Sequence, residues 1–256
     1  MSPATISSHW PGTLLGAALA LAGGVALAAR AAEDPHADAR RWMLEAVAID
    51  AAYHGDGTGR DVLPNRVLAA LESVPRHAFV PPEQAAGAYE NRSIPLAHGR
   101  TLPRPYLAAV MADLLELGPG SRVLEVGTGS GYQAAVLSRL AGRVVTIEPL
   151  GELAAEAGDR LARLGYGGVA VRHADGYGGW PGEAPYDAIL VTLAVSEVPP
   201  ALLAQLRPGG RLLLPLAQGP TTLLTLVSKN DKGKLRPKPR ALLDVDFEPL
   251  PIFRGE

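Results

Sequence analysis

Three closely spaced glycines and two glutamates between positions 125 and 148 have the residue types and spacing of a nucleotide-binding turn. A hydrophobic strand-like run ends in Glu125-Val126-Gly127-Thr128-Gly129-Ser130-Gly131, and a helix-forming run follows at Gln133. Glu148 comes twenty-one residues after Gly127, at the end of a second strand-like run. A carboxylate there can accept hydrogen bonds from both ribose hydroxyls of an adenosine.

The spacing of the glycines narrows the ligand class. A dinucleotide site has glycine at the first, third and sixth positions of the turn. Here Gly127, Gly129 and Gly131 take the first, third and fifth, and Tyr132 takes the sixth, where its ring would meet a pyrophosphate. S-adenosylmethionine carries no pyrophosphate, and an acidic Glu125 would suit its amino cation and sulfonium. The turn therefore predicts S-adenosylmethionine as the cofactor, the alternative being an ordinary glycine-rich turn in a parallel sheet.

Composition and charge exclude several other kinds of chemistry. The net charge of −2, with both signs interspersed, gives no support to a nucleic-acid partner. The absence of cysteine excludes disulfides, thiolate catalysis and cysteine-based metal sites. The six histidines show no metal-ligand spacing, so the sequence predicts no metal.

The pattern of apolar residues predicts an α/β fold built on a mainly parallel seven-stranded sheet. The predicted strands are residues 122–126, 144–148, 169–172, 188–192, 211–215, 223–227 and 242–247. Helical stretches separate the first five, which favours parallel pairing, whereas turn residues alone precede the last two, which favours an antiparallel edge. Upstream, helices are predicted at residues 37–51, 64–71, 83–89 and 106–116, with a loop at 54–60 and an extended piece at 73–82.

The N-terminal segment has a different character. Residues 1–29 carry no charged side chain, and residues 14–29 form an apolar run followed by Ala29-Arg30-Ala31. These features are typical of a secretory signal cleaved near Ala31. However, the first basic residue, Arg30, follows the run, an order that favours a membrane tether with the body in the cytoplasm. We expect export to the periplasm or tethering through residues 10–29, and a cytoplasmic protein if the segment is not a functional signal.

Several further pieces of the chain resemble the protein-L-isoaspartate O-methyltransferase family. Beside VLEVGTGSGYQAAVL, at residues 123–137, the likeness rests on the motifs VPRHAFVP at 74–81, GRTL at 99–102 with PY at 105–106, LGY at 164–166, DG at 175–176 with GW at 179–180, APYDAI at 184–189 and PGGRL at 208–212. The likeness extends from about residue 41 to the C-terminus.

The resemblance implies a Rossmann-like S-adenosylmethionine-dependent methyltransferase fold and a carboxyl methyltransferase that acts on L-isoaspartyl residues of damaged proteins. It implies that residues 33–120 cover the active site and that residues 121–256 bind the cofactor. Residues 1–32 precede this likeness, and their apolar run predicts a signal peptide or membrane anchor. The cofactor-binding residues would be Glu125, Gly127, Thr128, Gly129, Gly131, Glu148, Asp175 and Gly176. Asp175 would contact the adenine amino group, and Thr101 would lie in the segment that closes over the reacting centre.

The departures from the family pattern lie on the substrate side. The family reads Gly-Gln-Thr-Ile-Ser where this chain reads Gly99-Arg100-Thr101-Leu102-Pro103, so a proline replaces the active-site serine. That change removes a hydroxyl and a backbone donor. Arg100 or Arg104 could bind a substrate carboxylate, and we expect substrate contacts from Arg100, Pro103 and Thr192.

Two classes of function remain open at this point. The first is a monomeric carboxyl methyltransferase acting on isoaspartyl proteins, or on another acceptor. The second is a catalytically impaired protein that keeps the fold for cofactor binding or interaction, a reading that Pro103 favours.

Mass spectrometry of the mature N-terminus distinguishes the fates of the apolar run. We expect a chain shortened near Ala31 if it is exported, or an intact chain in the membrane fraction if it is tethered. An intact and fully soluble protein would contradict both expectations, and would mean that the missing lysines and arginines before residue 14 outweigh the apolar run.

Overall fold

A computed structural model describes residues 34–236, 239–247 and 249. The predicted signal or anchor segment lies outside these residues and stays a prediction. The chain divides into two units at residue 38, and the unit Ala39–Glu256 contains the sheet and the predicted covering segment from residue 39 onward. Within the described residues, no helix has both the length and the apolarity needed to cross a membrane.

The strands form a two-stranded hairpin and one seven-stranded sheet, as the fold prediction required. The hairpin pairs β1 (Ile94–Pro95) with β2 (Thr101–Leu102). The sheet consists of β3 (Arg122–Val126), β4 (Arg143–Glu148), β5 (Val169–His173), β6 (Tyr186–Val191), β7 (Leu206–Gln218), β8 (Thr221–Ser228) and β9 (Arg240–Asp244). Its order is β5-β4-β3-β6-β7-β8-β9, parallel from β5 to β7 and antiparallel from β7 to β9.

Of the described α-helices, three precede the sheet in the chain and three connect its strands. They are α1 (Ala37–Thr58), α2 (Asn65–Ser73), α3 (Pro105–Leu114), α4 (Tyr132–Ser138), α5 (Gly151–Arg163) and α6 (Pro200–Gln205). α3 begins with proline at its first turn, where the missing N–H is tolerated, and all ten of its residues are buried. The segment before residue 120 therefore contributes to the main core as well as covering the site.

Two upstream predictions were wrong because tertiary packing decided the local structure. The predicted loop at residues 54–60 is mostly helical, since α1 continues to Thr58, whose side chain is fully buried. The predicted extended piece at residues 73–82 contains a 3₁₀ turn at Arg76–Phe79. That turn buries both Arg76 and Phe79, which an extended chain would direct to opposite sides.

The parallel topology brings the chemical residues to one edge of the sheet. β3, β4 and β6 are neighbours, and their carboxyl ends carry the glycine turn, Glu148 and Thr192 respectively. Ligands of open parallel sheets bind at this edge, where the strand order reverses. In the sequence order of the strands, that reversal lies between β3 and β6.

Candidate active site

A cavity that is partly open to solvent lies at this edge of the sheet. It is lined by most of the residues predicted to form the site: Arg100, Thr101, Pro103, Gly127, Thr128, Gly129, Glu148 and Thr192. Further lining residues, which were not among the predicted site residues, are Leu96, Leu102, Met111, Ser130, Tyr132, Gln133, Leu193 and Phe247. The cofactor-side and substrate-side predictions thus meet in one cavity.

The floor of the cavity is the glycine turn after β3. Gly127 has a φ of +101°, and a Cβ there would collide with the side chains of Thr192 and Leu193, so this position requires glycine. Thr192 donates its hydroxyl hydrogen bond to the Gly127 carbonyl at 2.7 Å. Its hydroxyl thus fixes the shape of the turn, while Thr192 also lines the cavity. Its predicted contact with substrate stays a prediction.

Glu148 is anchored by two backbone N–H groups. Its Oε2 accepts from Gly129 at 3.0 Å and its Oε1 accepts from Leu150 at 3.2 Å. The side chain is only 1% exposed, yet it lines the cavity. Each carboxylate oxygen keeps a second lone pair for a ligand hydroxyl, which is the arrangement that ribose binding needs.

Glu125 lies beneath the cavity, and its predicted electrostatic role was wrong. The side chain is fully buried and accepts a hydrogen bond from Thr146 Oγ1 at 2.5 Å, while Thr146 contacts Thr128 Oγ1 at 2.8 Å. Burial raises the pKa of Glu125 to about 8, and the nearby Glu148 charge raises it further. A carboxyl group that is neutral at pH 7 cannot attract the sulfonium; it supports Thr128 through hydrogen bonds.

Besides Glu125, three predicted cofactor residues lie outside the cavity lining. The Asp175 carboxylate accepts the Tyr177 backbone N–H at 3.0 Å, and Gly176 is buried beside it. Both follow β5, the strand next to β4. Gly131, with a φ of +88°, begins α4 where a Cβ would press on Leu161. Their contact with the cofactor stays a prediction.

A capping segment, residues 96–103, forms the opposite wall. β1, directly before the segment, pairs with β2 near its end, with Ile94 opposite Leu102 and Pro95 opposite Thr101. Between them the Leu96 N–H donates to the Arg100 carbonyl at 2.7 Å and closes a tight turn. Thr101 and Pro103 line the cavity from this segment, and the location of Thr101 over the reacting centre stays a prediction.

Arg76 attaches the capping segment to the core, a role that sequence reasoning missed. Its guanidinium is fully buried and donates from Nε to the Ala88 carbonyl at 2.8 Å and from Nη2 to the Pro103 carbonyl at 2.6 Å. It lies 4.8 Å from the centre of the Tyr132 ring. Burial lowers the pKa of Arg76. The only sequence signal was an arginine inside an apolar, proline-bounded run.

The two arginines expected to meet substrate have different surroundings. Arg104 pairs with Asp50 at 3.0 Å and does not line the cavity. Arg100 lines it, and its Nη2 lies 4.0 Å from Glu148 Oε1. The structure therefore places Arg100 beside the predicted ribose-binding carboxylate.

One group of potential metal ligands occurs within the described residues. His98 of the capping segment and Glu152 and Glu156 of α5 have ligand atoms within 4.8 Å of one another, and all three are exposed. Sequence spacing gave no sign of this group, because His98 is far from the glutamates along the chain. Such exposed groups are often solvated, so the arrangement by itself assigns no ion.

The raised pKa of Glu125 predicts a specific dependence of stability on pH. Between the ordinary value of 4.5 and about 8, the unfolded chain has lost a proton that the native chain keeps. Stability therefore falls as pH rises, by up to about 1.4 kcal/mol per pH unit. Glu125→Gln removes this dependence, so denaturant titrations should show the variant gaining on the native chain from pH 5 to 8 and levelling off above.

Leu124→Ala is the matched control for this experiment, since it changes the neighbouring, fully buried residue of β3 without altering a titratable group. It should lose about 2–5 kcal/mol by the same amount at every pH. A constant difference between Glu125→Gln and the native chain from pH 5 to 8 would show that Glu125 ionises normally in the folded protein.

Comparison with known proteins identifies the family. Residues 58–251 match the model of the protein-L-isoaspartate(D-aspartate) O-methyltransferase family. Protein-L-isoaspartate O-methyltransferase 1 of Cupriavidus necator is 48% identical over 238 residues, covering 93% of this chain and 90% of the relative. Protein-L-isoaspartate O-methyltransferase 2 of Syntrophobacter fumaroxidans is 47% identical over 234 residues, covering 91% and 93%.

Solved structures agree with this assignment. A protein-L-isoaspartate O-methyltransferase with 28% identity superposes with a TM-score of 0.67, covering 83% of this chain and 67% of the other. A Plasmodium falciparum protein of the same description, solved with S-adenosyl-L-homocysteine, has 22% identity and a TM-score of 0.69 over 83% and 98% of the two chains, which supports the fold. The chain belongs to the protein-L-isoaspartate(D-aspartate) O-methyltransferase family.

Proposed function

We propose that this protein is an S-adenosylmethionine-dependent methyltransferase that esterifies the side-chain carboxylate of L-isoaspartyl residues in damaged proteins. The observation that carries the proposal is the cavity between the glycine turn and the capping segment, with Glu148 on one side and Thr101 and Pro103 on the other. The names of the relatives, which are 47–48% identical over more than nine-tenths of this chain, support the same substrate class.

The residues of the cavity fit S-adenosylmethionine. Glu148 offers two anchored oxygens to the ribose, and the Gly129 position is open, because nothing lies within 4 Å of where its Cβ would be. Tyr132 is buried at the start of α4, where a dinucleotide would need room for pyrophosphate. Gly127, Thr128 and Gly129 provide the surface for the methionine part.

The residues that line the cavity also fit a methyl acceptor that needs no general base. The ionisable side chains among the described lining residues are Arg100, Tyr132 and Glu148. Burial raises the pKa of Tyr132, which keeps its phenol protonated at neutral pH. None of the three is a suitable general base. A carboxylate acceptor is already ionised at neutral pH and needs only alignment and exclusion of water.

When bound, the cofactor supplies an electrophilic methyl group on a sulfonium. The chain's own contribution is to position the two reactants. The capping segment holds Thr101 over the cavity through the β1–β2 pairing, and Leu102, Leu193 and Phe247 make the surroundings apolar. These apolar side chains would displace water around the two reactants and so favour transfer to the carboxylate over hydrolysis.

The proposal also covers the oligomeric state of the protein and its partners. We propose a monomer that acts on proteins and peptides without a nucleic-acid partner; the net charge of −2 supports the second part, and light scattering tests the first.

Methanol release from a peptide with one isoaspartyl residue tests the activity. With labelled S-adenosylmethionine, base-labile methyl ester should form on this peptide and release labelled methanol. The same peptide with a normal aspartate is the matched control and should stay at background. Equal labelling of both peptides would indicate another acceptor, and cofactor binding without labelling of either would favour the impaired binding protein.

Pro103→Ser should raise turnover on the isoaspartyl peptide about tenfold, because it restores a hydroxyl near the reacting centre and one transition-state hydrogen bond commonly supplies that much. The measurement is kcat for methanol release. Pro103→Ala restores only the backbone N–H and separates that donor from the hydroxyl. If neither variant exceeds the native chain, the segment serves a different acceptor or no catalysis.

A further inference from the structure

We propose that Arg100 binds the cofactor and not the substrate: Arg100 and Glu148 together bracket one ribose hydroxyl of S-adenosylmethionine. This inference rests on the proposed function. It reverses the sequence-based expectation that Arg100 binds the acceptor carboxylate, and it assigns a ligand contact to a position where the family reads glutamine.

The surroundings of Glu148 show where the hydroxyl fits. Oε1 accepts the Leu150 N–H at 3.2 Å and Oε2 accepts the Gly129 N–H at 3.0 Å, which leaves one acceptor position on each oxygen. Arg100 Nη2 approaches Oε1. The hydroxyl at Oε1 is therefore the one that Arg100 can reach.

The distance between the Arg100 and Glu148 side chains suits a bridging hydroxyl group. Nη2 and Oε1 are 4.0 Å apart, which is too long for a direct hydrogen bond. A hydroxyl oxygen about 2.8 Å from each atom spans that distance at an angle of about 90°. It would accept from Arg100 and donate to Glu148, so both of its roles as donor and acceptor would be used.

Burial and charge argue against a substrate carboxylate at the same place. Arg100 is 12% exposed and Glu148 is 1% exposed, so their interaction is weakly screened. A second carboxylate at this guanidinium nitrogen would lie close to Glu148, and like charges in a buried place repel strongly. A neutral hydroxyl meets no such repulsion.

The capping segment keeps Arg100 in this position. The Leu96 N–H donates to the Arg100 carbonyl at 2.7 Å, and the Arg100 N–H donates to the Ala97 carbonyl at 3.1 Å. Arg100 also lines a second cavity of about 590 Å³ beside Gly129 and Ser130. Its side chain is thus part of the wall between the two cavities, and cofactor binding would attach the capping segment to β4.

A double-mutant cycle with S-adenosyl-L-homocysteine tests the proposal by titration calorimetry on the full chain. Arg100→Gln, which introduces the residue that the family reads here, should weaken binding about tenfold, and so should Glu148→Gln. The double variant should be only slightly weaker than either single variant, because one bridged hydroxyl serves both side chains. Arg104→Gln is the matched control and should bind like the native chain, since Arg104 pairs with Asp50 outside the cavity.

Deoxyribose analogues of the ligand provide a second measurement. The penalty of Arg100→Gln should vanish for one of the 2′-deoxy and 3′-deoxy analogues and persist for the other. Unchanged affinity of Arg100→Gln for S-adenosyl-L-homocysteine would overturn the inference and return Arg100 to the substrate side. Increased affinity would also overturn it, by showing that Arg100 competes with the ribose. If the native chain bound no S-adenosyl-L-homocysteine, the proposed function would fail as well.

Discussion

The hydrogen bond from the Gly129 N–H to the Glu148 carboxylate is the constraint around which the site is organised. It joins the turn after β3 to the end of β4, two strands paired in parallel register. The glycine turn must keep its shape for this N–H to point at the carboxylate, and Thr192, directly after β6, secures that shape. Residues at the ends of three neighbouring strands thus fix the carboxylate that we propose binds the ribose.

The capping segment depends on contacts that are polar but buried. Arg76 donates to the Pro103 carbonyl from inside the core, and the described residues offer it no carboxylate partner at salt-bridge distance. A buried guanidinium is costly unless its donors are satisfied, so the carbonyls of Ala88 and Pro103 are needed in place. The same contacts that make the charge tolerable hold the segment over the cavity.

Local patterns sufficed to predict the sheet and to bring the glycine turn and Glu148 to one cavity. Alternation of strand and helix gives the parallel core, and the offset from Gly127 to Glu148 places that carboxylate at the end of the neighbouring strand. The ionisation of Glu125 could not be predicted, because it follows from complete burial. The sequence also could not predict which groups the Arg100 and Arg76 side chains contact, because both contacts depend on how the chain before residue 120 folds back on the sheet.

Pro103 is compatible with the fold for a reason that the sequence does not show. The contact that anchors this position is made by its carbonyl, which proline keeps, and not by an N–H, which proline lacks. Replacing serine by proline therefore leaves the capping segment attached while removing a hydroxyl from the cavity. The departure at Pro103 therefore concerns the groups that face the acceptor, and not the contact with Arg76 that holds the segment.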